Sequence, residues 1–423
     1  MGPPVMPRGD SRPRRVLILV ENLPSPFDRR VWQEATTLRD AGYAVSIVCP
    51  TGKGFESKFE KIDGIAIWRY DLPVEGEGAK GYAIEYSVAL ARSFMLCWKI
   101  FLKDGFDVIQ ACNPPDLFFI IGRVFKLFGK KFVFDHHDIN PELYEAKFGK
   151  RGVFYWLLLK LERWTFRTAD VSIATNESYR RIAMERGGMA AERVFVVRSG
   201  PSLERMKIGP PDDRLKRGRS YLVGYVGVMG KQEGVDYLLR AIQYLVFNLH
   251  RTDIHFGLVG GGTSLGAMKG LAAELGVADF VTFTGRVTDD EMLAMLNTAD
   301  ICVNPDIANE MNDKSTMNKI MEYMALGKPI VQFDLAEGRY SAQTASLYAR
   351  KNDFADLAVK IVRLIDNPQL RAEMGACGRK RVECELEWRH EAPKLLAAYD
   401  SLWKSGKARR QVDQAADVPS ARL

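Results

Sequence analysis

Residues 313–337 read Asp313-Lys314-Ser315-Thr316-Met317-Asn318-Lys319-Ile320-Met321-Glu322-Tyr323-Met324-Ala325-Leu326-Gly327-Lys328-Pro329-Ile330-Val331-Gln332-Phe333-Asp334-Leu335-Ala336-Glu337. Ser315 or Thr316 can N-cap a helix. Met317, Ile320, Met321 and Met324 then recur at helical spacing and form one apolar face. Gly327 stands where a C-cap glycine belongs, Pro329 stops the helix, and residues 330–333 follow as a short strand. The stretch is thus a helix-to-strand unit of the α/β kind. Lys319 and Glu322 lie three apart and share a face. They read either as a surface salt bridge or as a working couple.

The same alternation extends outward in both directions. Upstream, residues 221–226 form an apolar strand that runs into Gly227-Val228-Met229-Gly230-Lys231-Gln232-Glu233-Gly234, and a helix begins near Tyr237. A glycine-rich turn between strand and helix exposes backbone N–H groups at a positive helix end, a setting for phosphate. Glycines also serve plain tight turns. Residues 254–259, 280–284 and 300–305 read as further strands, with Asp289 and Asp290 capping the helix between the last two. Downstream, residues 346–348 form a weak strand. Pro393 starts a last helix with Leu395, Leu396, Tyr399, Leu402 and Trp403 on one face.

The first half follows the same grammar. Residues 16–20 are continuously apolar, as in a buried parallel strand. Asp28 caps a helix that turns Val31, Ala35 and Leu38 to one side, Gly42 ends it, and residues 45–49 form the next strand. Arg29 and Arg30 read as a solvated helix start. Residues 86–103 form an amphipathic helix with Leu90, Phe94, Trp98 and Phe101 on one side and Arg92, Lys99 and Lys103 on another. The apolar stretch 117–128 reads as a buried helix. A basic-aromatic surface for lipid headgroups is its alternative reading. Residues 131–134 form a strand that ends in Asp135-His136-His137-Asp138, at the end of a sheet where α/β folds bind ligands. Neighbouring strand residues point to opposite faces, so one metal does not take both histidines. Residues 155–166 read as a helix with a Leu/Trp core and Lys160, Arg163 and Arg167 on its polar positions.

The segment "STMNKIMEYMALGKPIV" resembles the donor-site helix of the retaining glycosyltransferases of family 4. The segment "FDRRVWQEATTLRDAGYAV" resembles their first helix. The resemblance covers roughly residues 15–400 and implies a GT-B fold, two facing Rossmann-like domains. It implies transfer of a sugar from a nucleotide-sugar to a hydroxyl of a glycan or lipid-linked acceptor, with retention. By the same resemblance Glu322 holds the donor ribose, and Gly230, Lys231, Arg286, Lys314, Ser315, Thr316 and Lys319 line the donor site. His137, with Asp138 beside it, faces the acceptor, and His136 is the second choice. The chain departs from the family at three positions. Lys314 replaces a glutamate, and in the glycine turn Val228 and Glu233 replace an arginine and a lysine. Lys231, Lys314 and Lys319 are then the candidates to neutralise the donor diphosphate, and the resemblance implies no metal and no other cofactor.

Composition bounds these readings. The 423 residues suffice for two domains. The sequence predicts a tail over 1–13, an acceptor-side domain over 14–200 and a linker over 201–219. A nucleotide-sugar domain then covers 220–390, a returning helix 391–405 and a second tail 406–423. The net charge is +7, of which +6 falls in residues 1–205. That suits a polyphosphate ligand or an anionic membrane surface and is too weak to imply nucleic acid. The six cysteines form no C-x-x-C and read as core thiols. No run reaches the ~18 apolar residues of a membrane span. The expected place is the cytoplasm, either free or peripheral on the inner face of the membrane. A sugar-nucleotide epimerase and a non-catalytic membrane scaffold are the rival classes.

Overall fold

The structure is a computed structural model, and it describes residues 12–72 and 78–404. The tails expected over 1–13 and 406–423 fall outside the described residues, save for positions 12 and 13. The chain forms two compact units. One is built from the segments up to Asn140, Trp156–Val197 and from Ala392 onward; the other comprises Pro141–Tyr155 and Arg198–Glu391.

The first unit carries strands β1 (Arg15–Leu19), β2 (Ala44–Pro50), β3 (Phe59–Ile62), β4 (Ile65–Tyr70), β5 (Val108–Cys112), β6 (Lys131–His136), β7 (Val171–Ala174) and β8 (Val194–Val196). They lie in the order β3-β4-β2-β1-β5-β6-β7-β8. Every pairing is parallel except β3 with β4. Its helices are α1 (Arg29–Asp40), α2 (Gly78–Lys103), α3 (Phe119–Lys126), α5 (Val153–Thr168, after α4 at Asn140–Phe148) and α6 (Glu177–Glu185). Leu17, Ile18 and Leu19 are fully buried. Each contributes about 1.5–3 kcal/mol by leaving water. Asp28 caps α1 as expected, its side chain accepting from Val31 N at 3.1 Å.

The second unit carries β9 (Tyr221–Val226), β10 (Ile254–Val259), β11 (Val281–Gly285), β12 (Ile301–Asn304), β13 (Ile330–Phe333) and β14 (Ser346–Ala349). Their order is β11-β10-β9-β12-β13-β14, all parallel. Helices α7 (Val235–Gln243), α8 (Leu265–Glu274), α9 (Asp289–Thr298), α10 (Glu310–Lys314), α11 (Asn318–Ala325), α12 (Ala336–Ala342), α13 (Phe354–Ile365) and α14 (Pro368–Arg381) cover it. α15 (Trp388–Ser401) ends the described chain. Both units are therefore doubly wound α/β domains. In each, strand order reverses at one point, β1/β5 and β9/β12, and sheets of this kind bind ligands outside the carboxyl ends there.

Several local readings are corrected. The helix carrying Lys319 starts at Asn318, behind Met317, which makes no capping bond. Ser315 instead terminates α10 and donates its Oγ to Met311 O at 2.8 Å. Asn309 caps α10 first, and this short extra turn displaces the later helix start. Thr288, not Asp289 or Asp290, caps α9 through a capping box with Glu291. Pro393 lies inside α15 rather than at its start. The Leu/Trp core expected for α5 is not there: Trp156 is 60% exposed and Trp164 39%. Cys377 and Cys384 are exposed, while the other four thiols are buried. The buried reading of α3 holds for Phe119, Ile121 and Phe125.

Close packing of α3 on β6 gives a stability test. A Cβ on Gly122 would sit 2.5 Å from a ring carbon of Phe132. Gly122→Ala should destabilise the chain by about 1–3 kcal/mol. Urea unfolding of the variant beside the parent measures it.

Candidate functional site

In the second unit the carboxyl ends of β9, β10 and β12 are packed backbone on backbone. A Cβ at Gly260 (φ +129) would meet Gly227 O at 1.9 Å, and one at Gly234 (φ +63) would meet Pro305 O at 1.9 Å. Only glycine permits this approach at such φ values. The 227–234 turn, the 260–262 turn and the start of the 305–309 loop therefore form one cradle of main-chain groups.

Lys319 projects from the first turn of α11 into this cradle. Its Nζ lies 2.8 Å from Asp306 Oδ1 and 2.9 Å from Glu233 Oε2, and 5.0 Å from the centre of the Tyr225 ring. A Cβ on Gly227 would come within 3.4 Å of it. Burial alone would pull the ammonium down, but Asp306 and Glu233 outweigh it and hold Lys319 charged. Burial pushes Asp306 up to about 7 even against the attraction of Lys319. The salt bridge to Glu322 considered from sequence does not form. Glu322 instead accepts from Arg205 Nη1 at 3.1 Å, and Arg205 also grips Asp289 at 2.6 Å. The glutamate that stands at the family's lysine position thus meets a lysine supplied by α11.

Of the other residues expected on the donor side, Gly230 and Arg286 adjoin this cradle. Gly230 precedes the short turn that carries Lys231, which is exposed. Arg286 is exposed, with its Cγ 3.4 Å from where a Gly261 Cβ would lie. Thr316 Oγ1 lies 3.3 Å from Arg198 Nη1, which also bonds Glu337 at 3.3 Å. Lys314 pairs with Glu310 at 2.7 Å and Glu142 at 3.5 Å, so carboxylates do stand around the position where the family has its glutamate. Both polar atoms of buried Asn304, at the end of β12, lack a hydrogen-bond partner.

In the first unit a buried network gathers at the ends of β5 and β6. Arg30 is only 8% exposed, which overturns its reading as a solvated helix start. Its guanidinium reaches Asp135 Oδ1 (2.9 Å), Glu34 Oε1 (3.0 Å), His137 Nε2 (3.0 Å) and Val197 O (2.9 Å). Asp135 Oδ2 lies 2.6 Å from the same His137 nitrogen. That nitrogen serves Arg30 when bare and Asp135 when protonated. Burial works against the Asp135 carboxylate, but Arg30 and His137 hold it well below the usual range. Burial and then Asp135 push Glu34 up, so it is the neutral acid of the pair. Gln110 Nε2 donates to Glu34 and Asp135, and Tyr399 OH donates to Gln110 Oε1. Asn113 Oδ1 accepts from the amides of His137 (2.7 Å) and Asp138 (3.1 Å) and fixes their backbone. His136 is fully buried against Phe134, Phe166 and Tyr179, and burial lowers it to about 3.

Cys112, Asp135 and His137 place one donor atom each within 4.8 Å of one another. Arg30 already supplies the cation to two of the three, and burial followed by Asp135 pushes the Cys112 thiol well up, so it stays protonated.

Sequence reasoning missed Arg30, Glu34 and Gln110, and the partners Arg198, Arg205 and Asp306. The i,i+4 spacing of Arg30 and Glu34 and a lone glutamine in an apolar strand were the available signals. It also passed over Glu21, which follows β1 at the reversal point. Glu21 is 2% exposed, and its Oε1 has no hydrogen-bond partner.

Comparison with known proteins identifies the family of both units. Residues 28–205 match the family described as Glycosyltransferase Family 4, and residues 220–367 match Glycosyl transferases group 1. The 2-deoxystreptamine glucosyltransferase of Streptomyces kanamyceticus is 26% identical over 327 residues, 74% of this chain and 82% of that one. The chain spans about half the length of several further curated relatives. Among solved structures, sucrose-phosphate synthase from Thermosynechococcus elongatus superposes with a TM-score of 0.74 at 17% identity, over 92% of this chain and 99% of that one. Anabaena Alr3699/HepE in complex with UDP and glucose gives 0.68 at 14% identity, over 92% and 100%. The likeness to these two is one of fold.

Glu21 yields a pH test. Burial, then repulsion from Glu85, pushes its carboxyl from 4.5 up to about 8. The fold prefers the neutral acid, so its stability contribution is whole below about pH 4.5 and is lost as pH rises towards 8. Glu21→Gln cannot ionise. Relative to the parent, the variant should gain stability between pH 5 and pH 8 in paired urea titrations. An unchanged difference at the two pH values would place Glu21 in water.

Proposed function

For a chain that belongs to the GT-B glycosyltransferases of family 4 and group 1, we propose a retaining transfer from a nucleotide-sugar to a hydroxyl of a glycan or lipid-linked acceptor. The product would be a polysaccharide or glycoconjugate. The second unit takes the donor, and the first takes the acceptor. The bond from the anomeric carbon to the diphosphate breaks, and its electron pair leaves with the phosphate. The acceptor oxygen bonds to the same face of the oxocarbenium-like sugar, and its proton passes to the departing phosphate oxygen. Neutralisation falls to main-chain N–H groups of the glycine cradle and to Lys319, with Lys231, Arg286 and Lys314 at its margin and Gly230, Ser315 and Thr316 lining it. The proposal needs no metal and no other cofactor. Glu322, freed from Arg205, accepts the ribose hydroxyls. His137, positioned by Arg30, Asp135 and Asn113, faces the acceptor with Asp138 beside it.

The observation that carries this reading is the charged, nearly buried Lys319 beside the Gly227 turn, with Glu322 one turn further along the same helix. An epimerase or a scaffold draws no support from the family matches. A lipid-linked acceptor would bring the enzyme to the cytoplasmic face of a membrane as a peripheral protein. Among the described residues no helix is long and apolar enough to cross one.

Lys319→Met should lower kcat/KM by at least ~100-fold, as for loss of one electrostatic donor. It leaves Asp306 and Glu233 unpaired, so stability should also fall by about 3–5 kcal/mol. Lys319→Arg keeps the charge and separates the two effects. Turnover within a few-fold of the parent for Lys319→Met would remove Lys319 from the chemistry.

Glu322→Gln tests the donor site independently. Each charge-assisted bond contributes roughly 1.5–3 kcal/mol. The variant should therefore lose most of the thermal stabilisation that nucleotide-sugars confer on the parent. Equal stabilisation would take Glu322 out of the site.

A further inference from the structure

Helix α5 breaks the usual rule for a helix packed on a sheet. Its inward side is ordinary: Glu162, Thr165 and Phe166 are buried. Its outward side carries Trp156 (60% exposed), Leu157 (43%) and Trp164 (39%), together with exposed Lys160, Arg163 and Arg167. These six recur at i, i+1, i+4, i+7, i+8 and i+11, one stripe of an α-helix. The stripe holds no acid. The only carboxylate of α5, Glu162, points inward and is bonded to Arg186 at 2.7 Å.

The neighbouring helix continues the pattern. α3 lies against the second half of α5: the Phe119 and Trp164 rings are 5.9 Å apart, and Arg123 and Lys126 bond Thr168 at 3.2 and 2.8 Å. Exposed Ile120, Arg123 and Leu127 form a stripe at i, i+3 and i+7, with Leu127 85% in solvent. Large apolar side chains and cations thus alternate across two adjacent convex helices.

We propose that this α3–α5 face is where the enzyme docks on an anionic lipid bilayer. The chemistry selects that partner. Protein interfaces are depleted in lysine and need a complementary surface. A headgroup layer instead accepts indole and leucine side chains a few ångströms deep while lysine and arginine extend to lipid phosphates. The inference deepens the lipid-linked reading of the acceptor, because docking here would hold the acceptor-side unit at the surface where such an acceptor resides. Phe94, Trp98 and Phe101 of α2 lie outside this face, because they pack against Phe125 of α3.

The test uses the full chain with vesicles of phosphatidylcholine alone or mixed with phosphatidylglycerol, read by co-sedimentation and tryptophan fluorescence. Binding should appear with the anionic vesicles, blue-shift the emission and weaken as salt rises. Each surface cation is worth about five-fold in partitioning. The triple variant Lys160→Gln, Arg163→Gln, Arg167→Gln should therefore bind ~100-fold more weakly at an unchanged melting temperature. Trp156→Ala with Trp164→Ala should also weaken binding while keeping its salt dependence. Equal partitioning to both vesicle types, triple-variant binding equal to the parent, or a dimer in solution that shields Trp156 would each overturn the proposal. Nucleotide-sugar stabilisation measured without vesicles reports on the transferase reading separately. If it persists while vesicle binding fails, only the docking face falls.

Discussion

An ammonium group out of water must be surrounded by charge, and the second unit is assembled around that requirement. Lys319 ties three separate chain segments together: the glycine turn through Glu233, the end of β12 through Asp306, and α11 through its own backbone. Removing any one partner would strand a buried charge, which costs far more than an exposed pair contributes. The same ion pairs span the cradle of main-chain groups. Its glycines let the strands' ends approach, and the ion triad keeps them there. Burial first, and then repulsion from Glu233, make Asp306 hard to ionise even beside Lys319.

The first unit solves a similar problem with the opposite emphasis. Arg30 is the buried cation, and its planar fork can serve two carboxylates, a ring nitrogen and a carbonyl at once, where an ammonium would offer fewer fixed directions. One consequence is that His137 Nε2 faces a donor, Arg30, and an acceptor, Asp135, at the same time. The unequal environments of Glu34 and Asp135 separate two similar acids into one neutral and one ionised group, with Gln110 bridging them.

Much of the α/β architecture was legible from sequence because its signals are local. Continuous apolar runs such as 16–20, caps such as Asp28 and glycine stops such as Gly42 each determine a short element. Helix α11 was recognisable by its residues, yet its start was misplaced, since Asn309 captures the preceding turn and leaves Ser315 to end it. Long-range pairings were not legible. Arg30 with Asp135 and Lys319 with Asp306 depend on which strand ends meet, and spacing does not encode that. Trp156 and Trp164 misled for a related reason. Large aromatic residues at helical spacing are read as core, and only the packed structure shows the stripe turned outward.

The hairpin β3–β4 has its own consequence. A parallel sheet ends in a row of open backbone groups that another chain could extend. Here the last strand at that margin runs antiparallel, is only four residues long and carries Glu60 and Lys61. A strand this short and charged is a poor template for further pairing. The turn at Asp63 and Gly64 thus closes this one margin of the first sheet to edge-to-edge extension.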